Sequence, residues 1–309
     1  MYLQGQGVAP DLARAARWLR AAAAQGNAQA EYRLAMMHLA GDGVAQDPAA
    51  AAVQSADPAT VEALRAAIAG AHRSPENKAR DAFRHPLETL LFFGLRKDMT
   101  VVELWPGGGG WFTEILAPTL RDSGKLITTN FDTSGPADSY QTKAGTKYQT
   151  KLAGDPALYD KVEVVTVKDT KGLVLAPEGS VDLVLTFRNT HNWVEDGVEA
   201  DVYGAAFRAL KPGGVLGVEQ HRGEPGPVDD PKKTAERGYL PEAWVIARVE
   251  SFGFKFAGKS EINANPRDTK DYEKGVWALP PALQNGDTDR AKYVAIGESD
   301  RMTLKFVKP

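Results

Sequence analysis

The sequence predicts an α/β protein built on a doubly wound, mostly parallel sheet of seven strands with an antiparallel edge strand. Short β-branched segments that are apolar throughout alternate with stretches of helical spacing, which is typical of a parallel sheet covered on both faces. A glycine-rich turn in "VVELWPGGGGWFTEILAP", residues 101–118, joins the first of these strands to a helix. A short α-helical repeat region is predicted at the N-terminus.

The seven predicted strands follow one another through the C-terminal three quarters of the chain. They are residues 100–105, 125–131, 162–168, 181–187, 214–220, 254–262 and 301–307. The last two segments alternate polar and apolar residues with period two, and no long helix is obvious between them. We therefore expect an antiparallel pair at one edge of the sheet.

Composition excludes several classes of function. The chain has 309 residues, of which 43% are apolar, with 37 Lys and Arg against 40 Asp and Glu. The near balance of charge, without a basic run, argues against nucleic-acid and membrane surfaces as partners. The absence of cysteine excludes disulfides and thiolate chemistry. With no apolar run of 18 residues and no signal peptide, we expect a soluble cytoplasmic protein, or a periplasmic one if the true N-terminus is missing.

A turn near the N-terminus recurs 36 residues later, as "GQGVAPD" at residue 5 and "GDGVAQD" at residue 41. The alanine-rich sequence between the turns reads as two helices broken at Gln25, Gly26 and Asn27. The pattern resembles the Sel-one-like repeat, a relative of the tetratricopeptide hairpins, and covers residues 1–48. Because stacked repeats need neighbours, we expect the chain to begin inside a longer array.

The composition also suggests domain boundaries. Residues 49–58, which are small, polar and punctuated by proline, are predicted to be a linker. Residues 59–97 read as two covering helices that are split near Ser74 and Pro75. Residues 98–309 are predicted to form the catalytic sheet domain.

Three cofactor classes bind a glycine turn between a strand and a helix. A P-loop needs Lys followed by Ser or Thr after its glycines, and neither follows here. A dinucleotide fold needs GxGxxG, and the third position after Gly107 and Gly109 is Phe112. The third class has an acid at the end of the strand followed by glycines at the spacing ExGxGxG. Glu103, Gly107 and Gly109 fit this spacing, although Trp105 replaces the first glycine.

These features together resemble the class I S-adenosylmethionine-dependent methyltransferases, which have a Rossmann-like fold. "APEGSVDLVLTFRNTHNW" and "ALKPGGVLGVEQ" resemble the family's approaches to its fourth and fifth strands. Four segments are similar to a bacterial group of methyltransferases that has been recognised from sequence alone: "HRSPENKARDAFRHPLETLLFFG", "TFRNTHNW", "NPRDTKDYEKGVW" and "GESDRMTLKFVKP". That similarity covers residues 67–309. The resemblance implies S-adenosylmethionine as cofactor. The methyl acceptor is expected to be a small molecule, because the chain has neither a basic patch nor the turn of nucleic-acid amino methylases.

The resemblance also implies the cofactor-binding residues. Asn130 and Asp132 correspond to the acid that binds the ribose hydroxyls, and Asp169 to the acid that reads the adenine amino group. Arg188 is added to the cofactor set with Glu103, Trp105, Gly107 and Gly109. We expect the indole of Trp105 to pack away from the cofactor or against its edge, because the glycines are shifted one step later.

Candidate catalytic residues follow the fourth and fifth strands, where ligands gather in such sheets. His191 and His221 can act as a base toward a hydroxyl or amine, since histidine titrates near neutrality. Asn192 and Trp193 can line the acceptor pocket, and Arg188 or Arg222 can pair with an anionic substrate. No metal site is predicted. "FRNT" replaces the "NPPY" turn of nucleic-acid amino methylases, so nucleic acid is not expected as substrate.

Two other functions remain open from the sequence. The chain can be a non-catalytic adaptor whose repeats recruit a protein partner, a reading favoured by Trp105 and Asn130, which depart from the generic cofactor pattern. An NAD-linked oxidoreductase is a weaker alternative.

Overall fold

The computed structural model describes residues 11–23, 27–42, 44 and 47–309. Its centre is a seven-stranded sheet with the order β3-β2-β1-β4-β5-β7-β6. The strands are β1 Thr100–Leu104, β2 Lys125–Phe131, β3 Glu163–Val167, β4 Val181–Phe187, β5 Leu210–His221, β6 Lys255–Ser260 and β7 Arg301–Val307. β1 to β5 pair in parallel, and β7 runs antiparallel to both β5 and β6.

Helices cover both faces of the sheet, and further helices precede it at the N-terminal end of the chain. They are α1 Leu12–Ala23, α2 Ala28–Ala40, α3 Pro48–Ser55, α4 Pro58–Ala69, α5 Pro75–Ala79, α6 Asp81–Arg84, α7 Pro86–Phe92, α8 Thr113–Leu120, α9 Tyr140–Gly154, α10 Pro156–Tyr159, α11 Thr190–Asp196, α12 Glu199–Ala209, α13 Pro231–Ala235, α14 Glu242–Glu250 and α15 Arg290–Ile296, with a 3₁₀ helix at Gly275–Ala278. Within the described ranges, no helix is long and apolar enough to cross a membrane.

Two apolar cores lie on opposite faces of the sheet. Val102 of β1 belongs to the core under α11, α12 and α14, whereas its neighbour Val101 belongs to the core under α4, α7 and α8. This alternation follows from the period of two in a strand, which directs successive side chains to opposite faces. A strand that is buried on both faces has apolar residues at consecutive positions rather than only at alternate ones, which is why these segments could be recognised.

The predicted fold class is confirmed, with a detail at the edge. The antiparallel strand β7 lies inside the sheet, between β5 and the edge strand β6. At the other edge, β3 is mostly exposed, although its sequence is rich in valine. An edge strand has only one neighbour in the sheet, so its side chains are less completely covered.

The repeat region contains the predicted helix pair. α1 and α2 pack through a small apolar cluster that includes Ala16, Leu34 and Met37. Asn27 caps α2, since its Oδ1 accepts the backbone N–H of Ala30 at 3.0 Å. Gln25 and Gly26, and the repeated positions 5, 7, 8 and 43, lie outside the described residues.

The expected linker at residues 49–58 is corrected, because most of it is α3. Asp47 caps this helix by accepting the N–H groups of Ala49 and Ala50, both at 3.0 Å, and Pro48 is its first residue. Ala49 is fully buried in the core that also contains α7 residues. Aspartate followed by proline is a helix start, and small side chains permit close packing. How the chain divides into domains beyond this stays a prediction.

Residues 59–97 contain four helices, α4 to α7, rather than the expected two. The first break is the predicted one, where Ser74 caps α5 by accepting the N–H of Asn77 at 3.2 Å. The second break, at Arg80, separates α5 from α6. The third is at His85, whose φ of +37° ends α6 immediately before Pro86. A proline disfavours helical backbone in the residue before it, which accounts for the break at His85.

Candidate functional site

The loop that joins β1 to α8, residues 105–110, is the glycine loop. Gly107 has a φ of +69°, and a Cβ added at Gly107 or Gly109 would find no atom of the described chain within 4 Å. At Gly110, in contrast, a Cβ would lie 2.8 Å from the ring of Tyr148. Gly107 and Gly109 therefore border open space, whereas Gly110 is required by packing.

Trp105 adopts a φ of +43°, which is unusual for a residue with a bulky side chain. Its backbone N–H donates to Thr129 Oγ1 at 2.7 Å. The indole is buried, with ring centroids 5.4 Å from Trp193 and 6.4 Å from Phe131. The ring thus packs among core aromatics at the ends of β2 and β4. That it lies at or beyond the edge of a bound cofactor stays a prediction.

Glu103 is buried at the base of the glycine loop. Its Oε2 accepts the hydroxyl of Thr113, the first residue of α8, at 2.6 Å. Burial raises the pKa of Glu103 to about 8, opposed by the Thr113 hydrogen bond and by the charge of Lys151. The carboxyl group therefore links the strand to the start of the helix.

The acids expected to contact a nucleoside lie at the ends of β2 and β3. Asn130 is buried, and its amide donates to the Gly145 carbonyl of α9 at 3.1 Å. Asp132 is half-buried and accepts the Ser134 hydroxyl at 2.8 Å, which lowers its pKa. Asp169 is exposed after β3 and accepts the Lys171 N–H at 3.0 Å. Asn130 thus positions α9, and Asp132 and Asp169 are the two carboxyl groups at this edge.

His191 and His221 are separated by 30 residues but lie together, His191 in α11 just after β4 and His221 as the last residue of β5. Their ring centroids are 5.3 Å apart, and Trp277 lies 5.8 Å from His191. His191 Nδ1 is 3.2 Å from Gln220 Oε1, and His221 Nδ1 is 2.6 Å from Ser299 Oγ. The two predicted catalytic histidines therefore belong to one buried group.

The proton of His191 can be assigned from its partner. The Gln220 amide nitrogen donates to the Gly238 carbonyl at 2.9 Å, so Gln220 Oε1 is the atom that faces His191. An amide oxygen only accepts, so Nδ1 of a neutral His191 carries the hydrogen and Nε2 carries the lone pair. Burial lowers the pKa of His191 to about 4. The charge of Arg188 lowers this pKa further, whereas the hydrogen bond with Gln220 raises it.

Acidification is expected to destabilise the protein through His191. The unfolded state, with a histidine pKa near 6.5, binds more protons than the folded state, so stability is complete above pH 6.5 and is lost toward pH 4. Between pH 7.5 and pH 5 this contributes about 2 kcal/mol. Urea unfolding of wild type and His191→Gln should show a weaker pH dependence in the variant. An unchanged dependence would mean that His191 is protonated in the folded protein at pH 5.

The neighbours of His191 have different environments. Asn192 is exposed, whereas Trp193 is buried against Tyr203, at a ring distance of 5.6 Å, and is a core residue. Arg222 is paired with Glu242 at 3.3 Å and with Glu261 at 2.6 Å. Both neighbouring carboxylates hold Arg222 in place, and its pairing with a substrate stays a prediction.

Arg188, at the end of β4, belongs to a buried ionic group that we name the arginine cluster. Its members are Arg80, Arg84, Arg188, Arg301, Glu219 and Glu298. Glu298 accepts Arg80 Nε at 2.6 Å, Arg84 Nε at 3.0 Å and Arg301 Nη1 at 3.0 Å. Arg188 lies farther away, 3.8 Å from Glu219 and 3.9 Å from Glu298. Burial lowers the pKa of Arg188 to about 10, so it stays charged at neutral pH.

Most of this cluster could not be found in the sequence. Arg80 and Glu298 are 218 residues apart, and each stands in an ordinary charged segment. Only the position of Arg188 directly after a buried strand pointed to a site. In the part of the chain that the structure describes, no three His, Asp or Glu side chains form a group that can hold a metal ion.

Comparison with known proteins agrees with both parts of the architecture. The Sel1 repeat family matches residues 1–27 and 28–52, so its second repeat includes part of α3. No curated protein sequence matches the chain.

Two solved structures resemble most of the chain at 16% identity. A S-adenosylmethionine-dependent methyltransferase from Aquifex aeolicus aligns with a TM-score of 0.50, over 82% of this chain and 100% of its own. The [4+2]-cyclase SpnF aligns with a TM-score of 0.52, over 81% of this chain and 94% of its own. At such low identity the likeness concerns the fold. The protein therefore joins N-terminal Sel1 repeats to a sheet domain with the fold of S-adenosylmethionine-dependent methyltransferases.

Proposed function

We propose that the protein is an S-adenosylmethionine-dependent methyltransferase that acts on a small molecule. The observation that carries this proposal is the open space beside Gly107 and Gly109, at the point where the sheet order reverses between β1 and β4. Ligands of open α/β sheets bind at this switch point, outside the carboxyl ends of the strands. The fold alone does not decide the chemistry, because SpnF is a cyclase.

The residues of this edge suit S-adenosylmethionine better than a phosphate-bearing cofactor. Bare backbone at Gly107 and Gly109 leaves room for the methionine moiety, without the lysine of a P-loop. Asp132 would accept the ribose hydroxyls, because Asn130 is engaged with α9, and exposed Asp169 would accept the adenine amino group. When bound, this cofactor supplies a methyl group activated by a sulfonium. Glu103 supports the loop from below.

His191 is the proposed base. As a neutral imidazole with its lone pair on Nε2, it can take the proton of an acceptor hydroxyl or amine. His221 and Gln220 hold its ring, and exposed Asn192 offers a hydrogen-bonding side chain to the acceptor. Alignment and exclusion of water contribute more to methyl transfer than base strength, which suits an imidazole whose pKa is low.

The repeat region is proposed to bind a protein partner. Trp18 on α1 is 67% exposed, and Tyr32 and Met36 are exposed one turn apart on α2. Large apolar side chains on the surface of helical repeats are suited to contact with another protein. None of these three side chains belongs to an apolar core cluster of the residues that the structure describes.

Calorimetric titration tests the proposed function. We expect saturable binding of S-adenosylmethionine and no binding of NAD, since the glycine loop lacks the third glycine of a dinucleotide site. Incubation with a metabolite panel should then consume the methyl donor. Binding without consumption would favour the adaptor, and failure of S-adenosylmethionine to bind would exclude the methyltransferase.

A further inference from the structure

The charges in the arginine cluster do not balance. Four guanidinium groups, those of Arg80, Arg84, Arg188 and Arg301, face the carboxylates of Glu219 and Glu298, which leaves two positive charges uncompensated. Burial lowers the pKa of Arg84, and the charge of Arg188 lowers it further. The groups that act most strongly on Arg84 and Arg188 are the cluster's own members. A buried surplus of this kind is unfavourable unless an anion joins it.

Each guanidinium group also has a nitrogen without a partner. Among the residues that the structure describes, four buried guanidinium nitrogens donate to no hydrogen-bond acceptor: Arg80 Nη2, Arg84 Nη1, Arg188 Nε and Arg301 Nε. The face of Trp111, with its centroid 4.7 Å from Arg84 Cζ, compensates one of them in part. Buried donors on charged groups are costly when unpaired, so this set requires acceptor atoms.

The cluster reaches the surface beside the proposed base. The side chains of Arg80 and Arg188 are 23% and 22% exposed, whereas those of Arg84 and Arg301 are buried. Arg188 is three residues from His191 and adopts a φ of +64°, with its N–H donated to the Glu219 carbonyl at 2.7 Å. Positive φ is strained for arginine, so the fold holds Arg188 at this strand end against a backbone preference.

We infer that the arginine cluster binds an anionic group, a carboxylate or a phosphate, on the molecule whose acceptor atom faces His191. The inference rests on the proposed function, and it narrows the acceptor to a small organic anion. Guanidinium groups match both anions, because their planar N–H groups can donate in pairs to two oxygens. Arg188 then contacts the acceptor rather than the cofactor, while Arg84 and Arg301 hold the two glutamates.

The test measures binding of acetate and of inorganic phosphate, at constant ionic strength set with sodium chloride, by thermal shift and calorimetry. We expect at least one of them to bind saturably, and the stronger one identifies the chemistry of the acceptor. Arg188→Gln should weaken that binding by about tenfold or more, with the affinity for S-adenosylmethionine unchanged. Arg222→Gln is the matched control, since this arginine is occupied by Glu242 and Glu261, and it should leave anion binding unchanged.

The outcomes separate this inference from the proposed function. If neither anion binds, or if Arg188→Gln and Arg222→Gln behave alike, the anion site is excluded, whatever the result with S-adenosylmethionine. If Arg188→Gln loses S-adenosylmethionine and keeps anion binding, Arg188 belongs to the cofactor site and the inference fails. If S-adenosylmethionine does not bind while anion binding still depends on Arg188, the anion site stands and the methyltransferase proposal fails.

Discussion

Replacing Glu298 by glutamine is expected to lower the free energy of unfolding by about 3–5 kcal/mol, the usual cost of removing one partner of a buried ion pair. Glu298 is 3% exposed and accepts hydrogen bonds from Arg80, Arg84 and Arg301. Burial by itself raises the pKa of this carboxyl group, but the charges of the surrounding arginines outweigh burial and lower it. Glutamine has nearly the same shape but leaves four guanidinium groups with Glu219 alone.

Urea unfolding at pH 7.5 measures this loss, with Glu261→Gln as control. Glu261 also pairs with an arginine, Arg222 at 2.6 Å, but its side chain is 53% exposed, so its removal should cost less than about 1 kcal/mol. Because the folded-state pKa of Glu298 is lowered, its contribution is present above the ordinary value of 4.5 and is lost as pH falls below it. The difference between wild type and Glu298→Gln should therefore shrink in acid. Equal losses for both variants would mean that the cluster is compensated elsewhere.

The sheet could be predicted from the sequence because its strands are defined by local patterns. Residues 125–131 and 181–187 were predicted with the observed ends, since each apolar run is bounded by charged or turn residues. The prediction of a linker at residues 49–58 was wrong for a reason that is also local. Small residues and prolines in "QDPAAAAVQSADP" suggest a linker, but Asp47 and Asp57 each precede a proline that begins a helix.

The candidate site was predictable only in part. The rule that ligands gather at the carboxyl ends of parallel strands brought His191 and His221 together correctly. It did not reveal that Asn130 is bonded to α9, because that contact depends on how a helix packs across the strand end. Glu298 lies just before β7 and Arg80 lies between α5 and α6, so their contact joins segments 218 residues apart. Contacts of such sequence separation leave no periodic pattern.

Gly109→Val is expected to weaken S-adenosylmethionine binding by at least about 100-fold, which corresponds to about 2.7 kcal/mol, without destabilising the protein. A Cβ at Gly109 would meet no atom of the described chain within 4 Å, and the residue is exposed, so the fold accommodates a side chain. The same space is where the proposed cofactor must lie against bare backbone. A loss of binding without a loss of stability would therefore show that the space beside Gly109 is needed by a ligand and not by the packing of the protein.

Variants at two further glycines serve as controls for Gly109→Val. Gly154, at the end of α9, also has no atom near its added Cβ, so Gly154→Val should keep both stability and cofactor affinity. Gly110→Ala should lose stability, because its φ is +51° and its Cβ would lie 2.8 Å from Tyr148. If Gly109→Val binds S-adenosylmethionine as tightly as wild type, the space beside the loop holds only solvent. In that case Gly107 and Gly109 serve the turn alone, and any cofactor binds elsewhere on the sheet.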